Sequence, residues 1–123
     1  MIKDELIKDI VEWHYSAFPD CTLESQLLKV NGEMGEMFNA GTNDAEAWKE
    51  RADVCIASIA LSMRFNAPLG DYLMTRLYYE CHDFERLRRE IKEKMKINKS
   101  REWEKINGVH RHKSKPEQKN NAG

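Results

Sequence analysis

The sequence lacks any long apolar run, which excludes a membrane-spanning helix of the usual kind. No stretch approaches the ~20 apolar residues that cross a bilayer, and the charged residues near the N-terminus leave no apolar core for a signal peptide. The three cysteines, Cys21, Cys55 and Cys81, form no CxxC pair. An odd, scattered set of this kind is typical of reduced thiols. We therefore expect a cytoplasmic protein with no membrane partner.

Several motifs of catalysis and binding are also missing. The chain has no Gly-rich phosphate loop and no recognisable Ser-His-Asp arrangement. Its net charge is −1 with 33% charged residues, which argues against a stable nucleic-acid partner. The 123 residues fit one domain. Residues 1–103 are predicted to form it, and residues 104–123 are predicted to be a polar, basic C-terminal tail in which His110 and His112 are solvated.

Helical periodicity dominates what is present. Strand-like alternation is absent, whereas apolar residues recur at helical spacing almost throughout. We expect four amphipathic helices. The first starts near Ile2 and ends near residues 18–20, and the others are capped by Thr22, Asp44 and Asp71, the last kinked or split near Cys81-His82. The predicted fold class is all-α, with four to five helices that form a bundle on oligomerisation.

Two carboxylate pairs stand out on consecutive predicted helices. Glu33 and Glu36 lie three residues apart on the second helix, and Glu50 and Asp53 lie three residues apart on the third. Each pair therefore projects from one helix face and borders the apolar stripe. If the two helices pack antiparallel, the four carboxylates converge. A single pair of this kind is ordinary solvated surface in a chain with 21 acidic residues, but two pairs at the edge of the core indicate a site.

Four convergent carboxylates repel one another and are costly to desolvate without cations. Mg²⁺ prefers oxygen ligands, and its coordination is usually completed by water and substrate phosphate. The pattern therefore predicts a Mg²⁺ site, with Mn²⁺ as an alternative ion, and chemistry on phosphates. On the last helix Lys94, Asn98 and Arg101 share one face, where cations can neutralise phosphate oxygens. The alternative for that face is an ordinary basic helix C-terminus.

Three blocks resemble the MazG-like all-α nucleoside triphosphate pyrophosphohydrolases. They are residues 26–37 (QLLKVNGEMGEM), 50–54 (ERADV) and 94–103 (KMKINKSREW). The blocks match that family's ExxE, ExxD and K-M-x-x-N-x-x-R motifs in the right order. Gly32 is a departure, because the family often has a further Glu there. This departure affects the expected substrate preference more than the expected metal binding.

The resemblance implies Mg²⁺-dependent hydrolysis of (deoxy)nucleoside triphosphates to a monophosphate and pyrophosphate, for control of the nucleotide pool. It implies metal binding by the four carboxylates, with Glu33 or Glu36 as the catalytic proton acceptor. It also implies a homodimer or homotetramer, which the many large apolar side chains favour independently. The substrate-binding residues that we predict are Gln26, Lys29, Lys94, Asn98, Arg101 and, for stacking on the base, Trp13. Two alternatives stay open: a pyrophosphohydrolase of the phosphoribosyl-ATP type, and a catalytically silent helical interaction protein.

Overall fold

The computed structural model of the chain describes residues 3–41 and 43–113. Within them the prediction of an all-α fold with four to five helices is confirmed, with one small hairpin added. The elements are α1 (Glu5–Ala17), α2 (Leu23–Asn39), α3 (Asp44–Met63), α4 (Pro68–Leu73), a π-helical segment (Met74–Tyr79), α5 (Phe84–Ser100), β1 (Trp103–Ile106) and β2 (Val109–His112). No helix in the described part of the chain is long and apolar enough to cross a membrane.

The starts of α2 and α3 are fixed by side-chain caps. Thr22 accepts a hydrogen bond from the Ser25 amide at 3.1 Å, and the Ser25 hydroxyl accepts one from the Thr22 amide at 3.0 Å. This reciprocal pair satisfies amides that a helix start would otherwise leave unpaired. Asn43 caps α3 by accepting from the Glu46 amide at 3.0 Å. The cap predicted at Asp44 is therefore displaced by one residue, and Asp44 is the first residue of the helix.

The fourth predicted helix is split, as expected, near Cys81-His82. It begins earlier than predicted, because Pro68 occupies the first turn of α4 and Asp71 lies inside that helix and does not cap it. Proline is favoured there since its missing N–H has no helical partner to lose. The turn continues as the π-helical segment, and α5 starts afresh after Asp83, whose carboxylate accepts from the Arg86 amide at 3.2 Å.

Helix α3 is the centre of the molecule. Every residue from Val54 to Ser62 is buried, so this helix has no solvent face over more than two turns. The sequence analysis predicted an amphipathic third helix, whereas this segment is buried on all of its faces. Helices α1 and α5 cover one side with residues such as Ile10 and Ile91, and α2 and α4 cover the other with Val30 and Leu73. Asp53 lies at the edge of this buried stretch, between the buried residues Ala52 and Val54.

Asp4 connects the start of α1 to residues far along the chain. Its Oδ1 caps α1 by accepting from the Leu6 amide at 2.9 Å. Its Oδ2 accepts from the hydroxyl of the buried Tyr78 at 2.6 Å and from Arg88 Nη1 at 2.8 Å. Burial opposes ionisation, but these hydrogen bonds prevail and the pKa of Asp4 is lowered. One carboxylate thus joins α1, the π-helical segment and α5.

A β-hairpin follows α5 where the sequence analysis predicted only a polar tail. Its two strands pair antiparallel, with Trp103 opposite His112 and Ile106 opposite Val109. The turn is Asn107-Gly108, with φ of 52° and 80°. Positive φ at both positions fits the two-residue hairpin turn that Asn-Gly favours. Strand β2 of the hairpin packs on α2, and its first residue, Val109, is buried. The rest of the predicted tail, residues 114–123, lies outside the described residues.

Candidate functional site

A cavity of about 510 Å³ opens between α1, α2, α3, α5 and the hairpin. Its lining contains every side chain that the sequence analysis selected as a metal, catalytic or substrate residue. These are Trp13, Gln26, Lys29, Glu33, Glu36, Glu50, Asp53, Lys94, Asn98 and Arg101. The structure therefore brings the predicted residues to one place, while the role of each stays a prediction.

Three carboxylates form a tight cluster at one end of the cavity, which we call the acidic end. Glu33, Glu50 and Asp53 each offer one oxygen, and the three oxygens lie within 4.8 Å of one another. Helices α2 and α3 supply them, as the spacing of the two motifs predicts. Glu36 lines the same cavity but is solvent-exposed and does not belong to this group. Three of the four predicted metal ligands thus converge closely.

Two oxygens of this cluster are buried without a partner. Glu33 Oε2 and Glu50 Oε2 have no hydrogen-bond donor among the described residues. Burial, a hydrogen bond with Glu46 and the charges of neighbouring carboxylates such as Asp53 together raise the pKa of Glu50 to about 7. Burial and the charge of Glu33 likewise raise the pKa of Asp53 to about 6. The protein's own groups therefore compensate the negative charge of the acidic end only in part.

Two lysines partly offset this negative charge. Lys29 Nζ lies 3.1 Å from Glu33 Oε1, one helical turn away on α2, and Lys94 Nζ lies 3.4 Å from Asp53 Oδ1. The charge of Lys94 opposes the rise in the pKa of Asp53 without cancelling it. Both lysines are largely buried at the cavity wall. They lie close enough to the carboxylates to contact an anion bound beside a metal ion.

The donor set at the acidic end fits a divalent metal ion of the hard type. The clustered ligands are all carboxylate oxygens, and Glu33 and Glu50 each have a buried oxygen without a hydrogen-bond partner in the described structure. Mg²⁺ and Mn²⁺ take such ligands and leave positions for water and phosphate. Glu33, Glu50 and Asp53 are the residues that would hold such an ion.

Aromatic side chains form the opposite end of the cavity, which we call the aromatic end. The Trp13 ring meets Phe18 edge-on at 5.3 Å and Trp103 at 5.9 Å between centroids. Phe18 also contacts Trp103 at 5.1 Å and His110 at 4.3 Å. Edge-to-face packing of this kind orients rings as well as burying them. Trp13 is thus held in place at the cavity wall, half-buried, where it was predicted to stack on a base.

The hairpin supplies site residues that the sequence analysis missed. Trp103 lines the cavity, its indole N–H donates to the Asn98 carbonyl at 3.2 Å, and Lys29 Nζ lies 5.9 Å from its ring centroid. His110 was expected to be a solvated tail residue, but it lines the cavity and its Nε2 lies 3.3 Å from Asp20 Oδ1. Lys105 Nζ contacts the same carboxylate at 2.7 Å. The Asn107-Gly108 turn was the available signal for this element.

Gln26 lies in the cavity wall but differs from the other predicted substrate residues. It is only 3% exposed, and its amide is already bonded to protein groups on α1 and α3. Successive turns of α2 place Gln26, Lys29 and Glu33 in line along the cavity. At 1.5 Å per residue, Gln26 and Glu33 are about 10 Å apart along the helix axis. Helix α2 therefore spans from the aromatic end to the acidic end.

Comparison with known proteins gives one structural likeness. No protein-family profile and no curated protein matches the chain. A solved structure of a MazG-like pyrophosphohydrolase from cyanophage S-2L, bound to dGDP and three catalytic Mn²⁺ ions per active site, is similar at 22% identity. The match covers 89% of this chain and 95% of that one, with a TM-score of 0.41. This is the family that the motifs resemble.

Proposed function

We propose that the protein is a metal-dependent nucleoside triphosphate pyrophosphohydrolase. The reaction is a nucleoside triphosphate plus water giving a nucleoside monophosphate plus pyrophosphate, with deoxynucleoside triphosphates as the preferred class. The observation that carries the proposal is the acidic end, where three carboxylates meet within 4.8 Å and two of their buried oxygens lack partners. Such an arrangement is costly unless a cation occupies it. A cavity that also contains aromatic rings suits a ligand with both phosphates and a base.

The cavity walls suggest how this ligand lies. The base would sit at the aromatic end against Trp13, whose ring contacts Trp103 at 5.9 Å between centroids, and the phosphates would extend along α2 toward Glu33. Lys29 lies between the two ends and Lys94 lies beside Asp53, so both ammonium groups can contact phosphate oxygens. Asn98 and Arg101, which line the α5 wall, would add an amide donor and a further positive charge.

The chemistry divides between the metal and the protein. A Mg²⁺ or Mn²⁺ ion, when bound, lowers the pKa of a water molecule and neutralises phosphate charge. Of the two predicted proton acceptors, Glu36 is the better candidate, because it borders the cavity but lies outside the clustered group. Its carboxylate would accept the proton of the attacking water. Lys29 and Lys94 would stabilise the negative charge that develops on the departing pyrophosphate.

The test is pyrophosphate release from a panel of ribo- and deoxyribonucleoside triphosphates and phosphoribosyl-ATP, with Mg²⁺, with Mn²⁺ and with excess EDTA. We expect release from at least one deoxynucleoside triphosphate, dependent on metal. Preferred release from phosphoribosyl-ATP would favour the alternative enzyme. A folded protein that binds metal but hydrolyses nothing in the panel would favour the silent interaction protein. Undiminished hydrolysis in EDTA would refute the metal mechanism.

We also propose that the protein is a homodimer or homotetramer. Helix α2 carries large apolar side chains that no described residue covers: Phe38 is 72% exposed, Leu28 56% and Leu23 43%. Several such residues on one helix are more than scattered surface apolar residues require. Isologous packing of α2 would remove them from water. Light scattering at low micromolar protein tests this, and a fully active monomer there would refute it.

A further inference from the structure

The buried amide of Gln26 has almost all of its hydrogen-bonding capacity satisfied within the protein. A glutamine amide offers two N–H donors and one oxygen with two lone pairs. Here Oε1 accepts from His14 Nε2 at 3.0 Å and from the Cys21 thiol at 3.4 Å, while Nε2 donates to the Ala57 carbonyl at 3.0 Å. One N–H on Nε2 is therefore the only capacity left for a ligand in the cavity that Gln26 lines.

The orientation of this amide follows from a residue far away in the sequence. Arg64 Nη1 lies 2.9 Å from His14 Nδ1. A guanidinium only donates, so Nδ1 must carry a lone pair and the ring proton must be on Nε2. The Nε2 proton in turn requires the oxygen of Gln26 to face it. The Ala57 carbonyl requires the nitrogen at the other side, so two independent contacts give the same amide orientation.

Arg64 is itself firmly held. It donates to the Phe18 carbonyl at 2.7 Å and to the Pro19 carbonyl at 3.1 Å, just past the end of α1. Its guanidinium lies over the Tyr15 ring at 4.5 Å. Arg64 does not line the cavity among the described residues, so its influence on a ligand is exerted through His14. Burial and the charge of Arg64 also lower the pKa of His14 to about 4, which keeps this ring neutral near pH 7.

Resting on the function proposed above, we propose that Gln26 donates a hydrogen bond to an acceptor atom on the nucleoside part of the substrate, and that Arg64 and His14 are positioning residues that present this donor. The location supports the nucleoside rather than the phosphates. Gln26 is bonded to His14, whose ring contacts Trp13 at 6.1 Å and Phe18 at 5.1 Å between centroids, and it lies about 10 Å along α2 from Glu33. The acceptor is a carbonyl oxygen or ring nitrogen of the base, or an oxygen of the sugar.

The experiment measures binding and not turnover. Calorimetry with Mg²⁺ uses three probes: an α,β-methylene deoxynucleoside triphosphate, the same compound without its base, and inorganic triphosphate. Gln26→Met and His14→Phe should each weaken binding of the first probe about tenfold. The first variant removes the donor of the hydrogen bond, and the second leaves that donor without the contact that orients it. Both variants should change the Kd for inorganic triphosphate by no more than about twofold. His82→Phe is the matched control, because His82 packs on Trp48 outside the cavity.

The double variant tests positioning. If His14 acts through Gln26, the pair should bind the first probe no more weakly than the poorer single variant. Additive losses, unchanged binding in folded variants, or an equal loss for inorganic triphosphate would overturn the inference. A loss that persists with the base-free probe places the acceptor on the sugar, and a loss confined to the complete nucleotide places it on the base. Either result supports the donor role.

Ring ¹⁵N spectra of histidine provide a check that does not need variants to fold. The wild-type protein should show His14 with an unprotonated Nδ1 and a protonated Nε2, and the opposite tautomer would overturn the inference. The proposed function fails separately: a wild-type protein that binds the analogue but releases no pyrophosphate is not the proposed hydrolase, yet its Gln26 contact stands. A wild-type protein that binds no nucleotide analogue refutes the contact as well.

Discussion

The two ends of the cavity differ in how well their polar groups are paired within the protein. At the acidic end Glu33, Glu50 and Asp53 are crowded together, and two buried oxygens have no partner in the described structure. At the aromatic end the polar groups of His14 and Gln26 are nearly saturated by protein contacts. The first arrangement is unfavourable until a cation binds, whereas the second is complete before a ligand arrives. We therefore expect metal binding to stabilise the fold at one end, and preorganised hydrogen-bonding groups to provide selectivity at the other.

The largest effect should come from removing one clustered charge. Glu50→Gln should lower kcat by orders of magnitude, because a metal ligand is lost while the side-chain shape is kept. It should also raise the Tm of the metal-free protein, because repulsion and the burial of charge at the acidic end are relieved. Turnover and thermal melting in EDTA measure the two effects. A variant that loses activity and also melts earlier without metal would contradict our account of this end.

Trp103→Ala should have the next largest effect, on substrate binding rather than on metal binding. The ring contacts Trp13 and Phe18, and its loss opens the aromatic end. We expect KM for the best nucleotide to rise by about tenfold or more, given ~1–3 kcal/mol for stacking on a base. Mn²⁺ binding, measured by calorimetry, should be unchanged. Equal weakening of metal binding would show that the hairpin supports the whole cavity and not one end.

The stability of the acidic end should fall as pH rises. The pKa values of Glu50 and Asp53 are raised to about 7 and 6, so the folded protein binds more protons than the unfolded chain between about pH 4 and 7. These two groups therefore destabilise the fold least below their unfolded pKa of about 4, and the free energy of unfolding falls as pH rises from there through 7. Melting in EDTA across this range should show the trend for wild type and a weaker one for Glu50→Gln. Saturating Mn²⁺ should abolish it.

The aromatic end should show the reverse dependence. His14 has a pKa lowered to about 4 from 6.5, so the unfolded chain binds the extra proton first as the solution becomes acidic. Stability is lost as pH falls below 6.5, by about 2 kcal/mol at pH 5. Denaturant unfolding at pH 7 and pH 5 measures the loss, and His14→Phe should reduce it. An unchanged pH dependence in that variant would assign the acid sensitivity to other groups.

The smallest effect should come from the contacts that hold the hairpin to the loop after α1. Asp20 pairs with Lys105 and His110 at the surface, where ion pairs contribute little. Asp20→Asn should leave Tm almost unchanged and raise KM slightly. The difference in KM between variant and wild type should shrink at high ionic strength, because salt screens the ion pairs of the wild type. Activity at low and high ionic strength checks this. A marked loss of turnover would mean that this contact, and not the buried Val109, holds the hairpin in place.

Local spacing was enough to predict the acidic end. The two carboxylate motifs lie on consecutive helices, and antiparallel packing of α2 and α3 brings Glu33 to Asp53 without further information. Lys94, Asn98 and Arg101 line one cavity, since one helix face presents all three, and their role in binding stays a prediction. The all-α fold class follows from the same helical periodicity.

Contacts between distant segments were beyond such an analysis. The bond between His14 and Arg64 joins residues fifty positions apart, and neither residue carries a spacing motif. Gln26 was predicted to bind substrate, but no pattern showed that its amide is mostly engaged by the protein. The hairpin was missed for a different reason: its strands have few apolar residues, and only the Asn107-Gly108 turn indicated it.

The contacts of Asp4 bear on the order in which the chain is assembled during synthesis. Helix α1 carries Trp13 and His14, yet the groups that hold its capping residue are Tyr78 and Arg88, which the ribosome adds 74 and 84 residues later. Helices α2 and α3 can pair as soon as both have emerged, since their mutual contacts need no later segment. The nascent protein should therefore assemble its acidic end first. The aromatic end is finished only when α5 has fastened α1 and the hairpin that follows α5 has supplied Trp103.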